Sequence, residues 1–340
     1  QGSGKTALAF HNVKFLTEYF QSKGQIAKIY FVVDRLNLLK QAKTEFQMRG
    51  LKVNTINSKS EFLTDFTKNQ AISNFSGQLE ITVINIQKFA EEASELFDNS
   101  YALNIQRIYF IDEAHRSYKP QGSFFANLRS SDREAILICL TGTPLLGNEP
   151  SKKLFGDYIH KYYYNRSIAD GYTLRLIRED IEASFSTKLK QTLDDLEEVQ
   201  KGTVPRKLIL SHKSFVTPML SYIIADLVKS RTAHNDNSLG GMIVCDSSEQ
   251  AKEMSKLFAD ICPAGMKAAL ILHDEGTKED RDDLAESFKE GVIDFLIVYN
   301  MLLTGFDAPR LKKIYLGRIV RDHNLLQTLT RVNRPYSNFK

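Results

Sequence analysis

Short apolar runs with no in/out alternation set the strongest limit on what this chain can fold into. IYFVVD (29–34), ITVIN (81–85), RIYFID (107–112) and AILICL (135–140) occupy the first half. KLILS (207–211), MIVCD (242–246), AALILH (268–273), DFLIVYN (294–300) and KKIYLG (312–317) follow in the second. A strand buried on both faces is apolar on both, so runs of this kind suit parallel sheets covered by helices. Helix-length stretches fall between them at 7–22, 36–49, 214–230, 248–260 and 278–290. The last opens TKEDRDDLAESF, with its acids gathered where a helix N-terminus favours negative charge. The pattern is β-α-β-α, twice over. It predicts an α/β chain of two doubly wound, parallel-sheet domains.

The expected domains are 1–166 and 167–340. A linker is expected over about 167–205, where ADGYT and the acid-rich TKLKQTLDDLEEVQKGTVPRK interrupt the apolar runs. A chain of 340 residues has room for two ordinary domains. No run approaches the roughly 20 apolar residues that a membrane-spanning helix needs. The net charge of +4 is compatible with nucleic acid but does not argue for it. Cys139, Cys245 and Cys262 are far apart and lack C-x-x-C spacing. That pattern favours reduced thiols and a cytosolic setting over disulfides or zinc.

Two motifs carry the chemistry. The chain opens QGSGKT, in which small residues let backbone N–H groups curl around phosphate oxygens ahead of a helix. Gly2, Ser3 and Gly4 would form that cradle, Lys5 would reach the β- and γ-phosphates, and the Thr6 hydroxyl would hold Mg²⁺. Taken alone, a GKT also reads as a chance tripeptide. About a hundred residues on, Asp112-Glu113-Ala114-His115 directly follows an apolar run, which puts Asp112 at the carboxyl end of a strand. Open α/β sheets bind their ligands there. Asp112 can complete the Mg²⁺ shell while Glu113 polarises the attacking water. The two motifs in this order predict an ATPase using ATP and Mg²⁺.

With these motifs in place the chain resembles the superfamily-two helicases and translocases over nearly its whole length, which implies two RecA-like domains of P-loop NTPase type. FVVDRLNLLKQ (31–41) matches the family's next motif, and its Arg35 and Gln41 are available to a nucleic-acid backbone. TVINIQKF (82–89) resembles a further DNA-side motif, with Gln87 its polar residue. LTGTP (140–144) matches the coupling motif, whose Thr141 and Thr143 lie in that family between the DEAH histidine, here His115, and nucleic acid. VYNMLLTGFDAPRL (298–311) matches the fifth motif; Thr304 would face the backbone, and Gly305 and Asp307 would approach nucleotide or ribose. QTLTRVNRP (327–335) matches the sixth. Its Gln327, Arg331 and Arg334 stand four and three residues apart, so a helix would carry all three on one face. A guanidinium from this motif can fork onto γ-phosphate oxygens as an arginine finger.

Within that superfamily, DEAHRS, LTGTPL, LLTGFDAPRL, QTLTRVNRPY and the passage YYYNRSIADGYTLRLIREDIE (162–182) look like the motor subunit of type I restriction enzymes. The resemblance implies ATP-driven translocation along double-stranded DNA without strand separation, with ATP and Mg²⁺ in a cleft between the domains. It also implies a cytoplasmic, prokaryotic complex with methylation and specificity subunits. The family's nuclease domain precedes the phosphate loop and uses paired acids and a lysine. The acid pairs here, Glu91/Glu92, Asp194/Asp195 and Asp282/Asp283, lie in helix-like polar stretches with no strand-borne E-x-K partner. A truncated motor that does not itself cut DNA is therefore expected. A helicase of the same superfamily and a non-catalytic nucleic-acid scaffold are the alternatives. The scattered His11, His160, His212, His273 and His323 share no metal-ligand spacing, and Tyr162–Tyr164 is expected to pack at the hinge.

Overall fold

The computed structural model describes residues 4–33, 36–67, 78–85, 104–112, 128, 132–142, 156–199, 206–262, 265–303 and 306–337. The chain divides into two compact units, Gln1–Lys161 and Tyr162–Lys340.

In the first unit, helix α1 (Lys5–Ser22) leads into β1 (Ile26–Val33), followed by α2 (Leu36–Met48), β2 (Lys52–Ile56) and α3 (Lys59–Thr67). Then come β3 (Glu80–Asn85), β4 (Ile105–Asp112) and β5 (Ile136–Leu140). The sheet order is β2-β3-β1-β4-β5, with every described pairing parallel. The central strands β1 and β4 are buried on both faces, as their unbroken apolar runs require. One face packs Ala9, Val13 and Phe20 of α1 and Phe46 of α2 against Phe31 and Phe110. The other packs Phe62 and Phe66 of α3 against Tyr30, Val32 and Tyr109. That second face also holds a polar knot. Tyr30 donates to the Asp65 carboxylate at 2.8 Å, Lys28 pairs with the same carboxylate at 3.1 Å, and Arg107 donates to the Phe66 carbonyl at 2.9 Å. Tyr30 and Tyr109 stack at 4.7 Å between these charges. Each buried polar group thereby acquires a partner and α3 a fixed seat.

The second unit runs α4 (Tyr164–Ala169), α5 (Ala183–Val199), α6 (Arg206–Leu210) and α7 (Lys213–His234). It continues β6 (Gly240–Val244), α8 (Ser248–Ile261), β7 (Ala268–Ile271), α9 (Lys278–Glu290), β8 (Phe295–Val298), β9 (Leu311–Leu316) and α10 (Asp322–Leu329). Its sheet order is β7-β8-β6-β9, again parallel throughout. Counted within each unit, both sheets share the order second-third-first-fourth, although the two halves show no direct sequence repeat. These are two RecA-like α/β domains.

Three expectations need correction. KLILS is not a strand: Arg206–Leu210 is a short helix that turns through Ser211 and His212 into α7. Ile209 is buried while Leu208 is 54% exposed, a one-sided pattern unlike the double burial of a central strand. The expected linker contains a 17-residue helix, α5, whose Phe185 packs against Tyr222 of α7 at 4.6 Å. Finally, Gln327, Arg331 and Arg334 do not share a helical face, because α10 stops at Leu329. Arg334 precedes Pro335, and a residue before proline is driven out of helical conformation.

The passage between α4 and α5 is strapped onto the second unit. Tyr164 Oη donates to the Leu174 carbonyl at 2.7 Å and accepts from the Leu176 amide at 2.8 Å, and the Leu174 amide donates to the Asn333 carbonyl. Lys313 of β9 then binds Glu179 at 2.6 Å and Asp226 of α7 at 2.8 Å, and Tyr315 Oη donates to the same Asp226 carboxylate. Burial and the Asp226 carboxylate together hold the Tyr315 phenol well above its usual pKa.

Candidate functional site

In a parallel sheet all carboxyl ends lie on one edge. The motifs therefore continue from a single rim of the first unit: from Val33, Asn85, Asp112 and Leu140. Asp112 is the register partner of Leu140, so Thr141, half-buried, leaves the sheet beside the aspartate.

The phosphate-loop end of α1 meets the same rim. Gly4 sits at φ +82°, the left-handed region that disfavours side chains, and its carbonyl accepts the Leu8 amide at 2.8 Å to start the helical ladder. Among the described residues no side chain caps α1, and no acid lies in its first turn, an arrangement that favours an anion at the positive helix end. The side chain just past it, Lys5, extends to Asp112, with Nζ 3.4 Å from a carboxylate oxygen. The two side chains are only 18% and 13% exposed. Thr6 is half-buried on the first turn. Two residues 107 positions apart thus meet as lysine and acid at one strand end, beside an uncapped helix N-terminus and a hydroxyl. This is the donor set that a phosphate chain with a divalent cation requires.

In the second unit, the segment after β8 and the segment after α10 are laced together. Arg331, 3% exposed, donates from Nη1 to the Phe306 carbonyl at 2.7 Å. Arg334 is ion-paired with Asp307. Burial pulls its guanidinium down to about 10, which leaves it cationic near neutrality, and its Nε meets no acceptor among the described residues. Gln327 is buried on α10. Lys312 of β9 donates to the Arg334 carbonyl, and burial depresses its ammonium to about 8.

Sequence reasoning missed Arg310. It is buried and donates to the carbonyls of Ser238, Phe288 and Ile293, so it anchors the far end of the 298–311 motif. The available signal was an arginine standing at the head of an apolar run, where a charge needs a dedicated set of acceptors. Gly2, Ser3, Arg35, Gln87, Glu113, His115, Thr143, Thr304 and Gly305 lie outside the described residues. Among those described, no group of three or more His, Cys, Asp or Glu side chains is arranged to hold a metal ion without help from a ligand. All three cysteines are free thiols, and burial raises those of Cys139 and Cys245 to about 12. No described helix is long and apolar enough to cross a membrane.

Two parallel α/β sheets of these orders fit the P-loop NTPase fold. The SWI2/SNF2 ATPase family profile matches residues 1–206, and the chain belongs to that family. Its second half narrows this further: residues 225–340 match domain 3 of the type I restriction enzyme R subunit. The chain is 24% identical over 379 residues to the type I restriction enzyme SauCOLORF180P endonuclease subunit of Staphylococcus aureus, covering 98% of this chain and 39% of the relative. It is 27% identical over 307 residues to the HindI endonuclease subunit of Haemophilus influenzae, covering 74% and 27% respectively. It therefore spans less than half the length of the curated relatives it matches. Among solved structures, a fragment described as an HsdR subunit from Vibrio vulnificus YJ016 aligns over all of this chain and 56% of its own, with TM-score 0.56 at 19% identity. The Hef helicase domain of Pyrococcus furiosus aligns over 94% of this chain and 85% of its own, at TM-score 0.50 and 15% identity. These two likenesses show the fold.

Proposed function

We propose that this chain is the ATP-dependent, double-stranded DNA translocase motor of a type I restriction endonuclease subunit. The observation that carries the reading is the Lys5–Asp112 pair at the carboxyl rim of the first sheet. Without ligand, each charge compensates the other. With nucleotide bound, Lys5 would be available to phosphate oxygens, and Asp112 and the Thr6 hydroxyl would be available to hold a cation. Mg²⁺, when bound there, would neutralise charge on the β- and γ-oxygens. Gly2, Ser3 and Gly4 would offer backbone N–H groups, and Glu113 would orient the attacking water.

The second domain would complete the ATP site from across a cleft. Arg334 is the better finger of the two motif arginines, since Arg331 is committed to the Phe306 carbonyl. Arg334 would exchange Asp307 for the γ-phosphoryl group, which frees Asp307 for the ribose. Gln327 and Arg331 would support that movement, and Gly305 would let the loop approach the nucleotide. His115, Thr141 and Thr143 would couple the site to DNA held by Arg35, Gln87 and Thr304. Closure with ATP and reopening after hydrolysis would move the two domains alternately along the duplex. Methylation and specificity subunits are the proposed partners, the latter choosing the DNA site.

ATP hydrolysis by the full-length subunit, compared on double-stranded DNA, single-stranded DNA and RNA, tests this. Duplex DNA should stimulate turnover most. Preferential stimulation by a single strand or by RNA would favour a helicase instead, and nucleotide-independent DNA binding with no turnover would favour a scaffold.

A further inference from the structure

The chain that leaves β8 carries a strained residue among those described there, 299–303 and 306–307. Leu302 adopts φ +60°, a conformation that bulky side chains rarely hold without support from their surroundings. Two supports lie at its far end, the Arg331 bond to Phe306 and the Arg334 pair with Asp307. At its near end stands Arg318, a residue outside every motif considered so far. From the end of β9 its Nη2 donates to the Tyr299 carbonyl at 3.1 Å and to Asn300 Oδ1 at 2.7 Å, while the guanidinium lies 4.7 Å over the Tyr299 ring.

The reach is considerable. In the order β8-β6-β9 the arginine spans the end of β6 to bind the strand beyond it, a distance of roughly two strand spacings. Its point of departure is also fixed. The Gly317 amide donates to the Val244 carbonyl at 2.8 Å, and a Cβ on Gly317 would meet that same oxygen at 2.9 Å. Only a glycine lets β9 lie close enough over β6 for the next side chain to cross it.

We infer that Arg318 is a positioning residue for the segment after β8, holding Tyr299 and Asn300 ahead of the strained Leu302 so that Asp307, tied to Arg334 at the far end, is kept in place for the ligand role proposed above. The ligand roles rest on the proposed function; the clamp itself does not. One guanidinium serves a carbonyl, an amide oxygen and a ring face at once, which a lysine cannot reproduce.

The test uses the full-length subunit with Arg318→Ala and Arg318→Lys. Hydrogen exchange of the amides at 300–303 should accelerate about tenfold or more in the alanine variant while the β6 and β8 amides keep their protection. The lysine variant should fall between the two. In the ATPase assay, the DNA concentration for half-maximal stimulation should rise about tenfold in Arg318→Ala and less in Arg318→Lys. Unchanged exchange at 300–303, or acceleration spread evenly over β6 and β8, would overturn the clamp. If the wild-type subunit showed no DNA-stimulated turnover, the functional reading would fail while the exchange measurement still decided the role of Arg318.

Discussion

Lys5 joins a helix N-terminus to a strand end through Asp112. In the full-length subunit, Lys5→Ala should lower ATP turnover by a factor on the order of 100 or more. Turnover near wild type would remove the site assignment. Arg334→Ala should leave nucleotide affinity within a few fold and suppress hydrolysis at least about 100-fold. Weak binding with normal single-turnover hydrolysis would count against its proposed part in the transition state. Lys312 offers a pH test. Its folded value of about 8 lies below the ordinary lysine value, so between the two the unfolded chain holds a proton that the folded chain has lost. Stability contributed at this site therefore rises with pH through that window, by on the order of 1 kcal/mol. Lys312→Met should abolish the rise. The buried thiols titrate in both proteins and cancel in the difference, which denaturant unfolding at pH 7.5 and 9.5 would read.

At the level of elements, the sequence was most legible where burial on both sides of a sheet left no ambiguity, as in β1, β4, β6 and β8. It was least legible where surroundings decide between helix and strand. KLILS shows this: an apolar run that short has no readable period, and in the fold it packs as a helix against α5, α7 and α8. In α5, Phe185, Leu189, Leu193 and Leu196 were spaced for a helix, but the polar residues between them read as linker. Pro335 keeps Arg334 out of a helix, a limit that spacing alone overlooked, whereas the stop of α10 at Leu329 carries no such mark. Of the candidate site, Lys5 and Asp112 could be placed from strand and loop signals. The partner of Arg331 could not, since a backbone carbonyl leaves no mark in sequence, and neither could the pairing of Arg334 with Asp307, which only the fold brings together. The close packing of β6 makes its own prediction. A Cβ at Gly240 would lie 2.5 Å from the Phe288 ring, so Gly240→Ala should destabilise the second domain by about 1–3 kcal/mol. Proteolysis or hydrogen exchange should show that loss in the second unit while β1 and β4 keep their protection.

For the whole molecule, two sheets that share the order second-third-first-fourth fit the proposed motor, in which each domain would grip the polymer in turn. Grip through phosphates predicts sequence-independent affinity that falls by about 10³-fold or more between 50 and 200 mM salt if some six phosphates are contacted. A flat salt response would point to base contacts instead. Displacement of a triplex-forming strand by the full-length subunit in the proposed restriction complex would read ATP-driven movement along duplex DNA from the Lys5–Asp112 rim. The wild-type complex should displace that third strand in the presence of ATP without separating the duplex, and Lys5→Ala should leave it bound. Release of one duplex strand, or equal displacement by the Lys5→Ala complex, would contradict duplex translocation powered from this site.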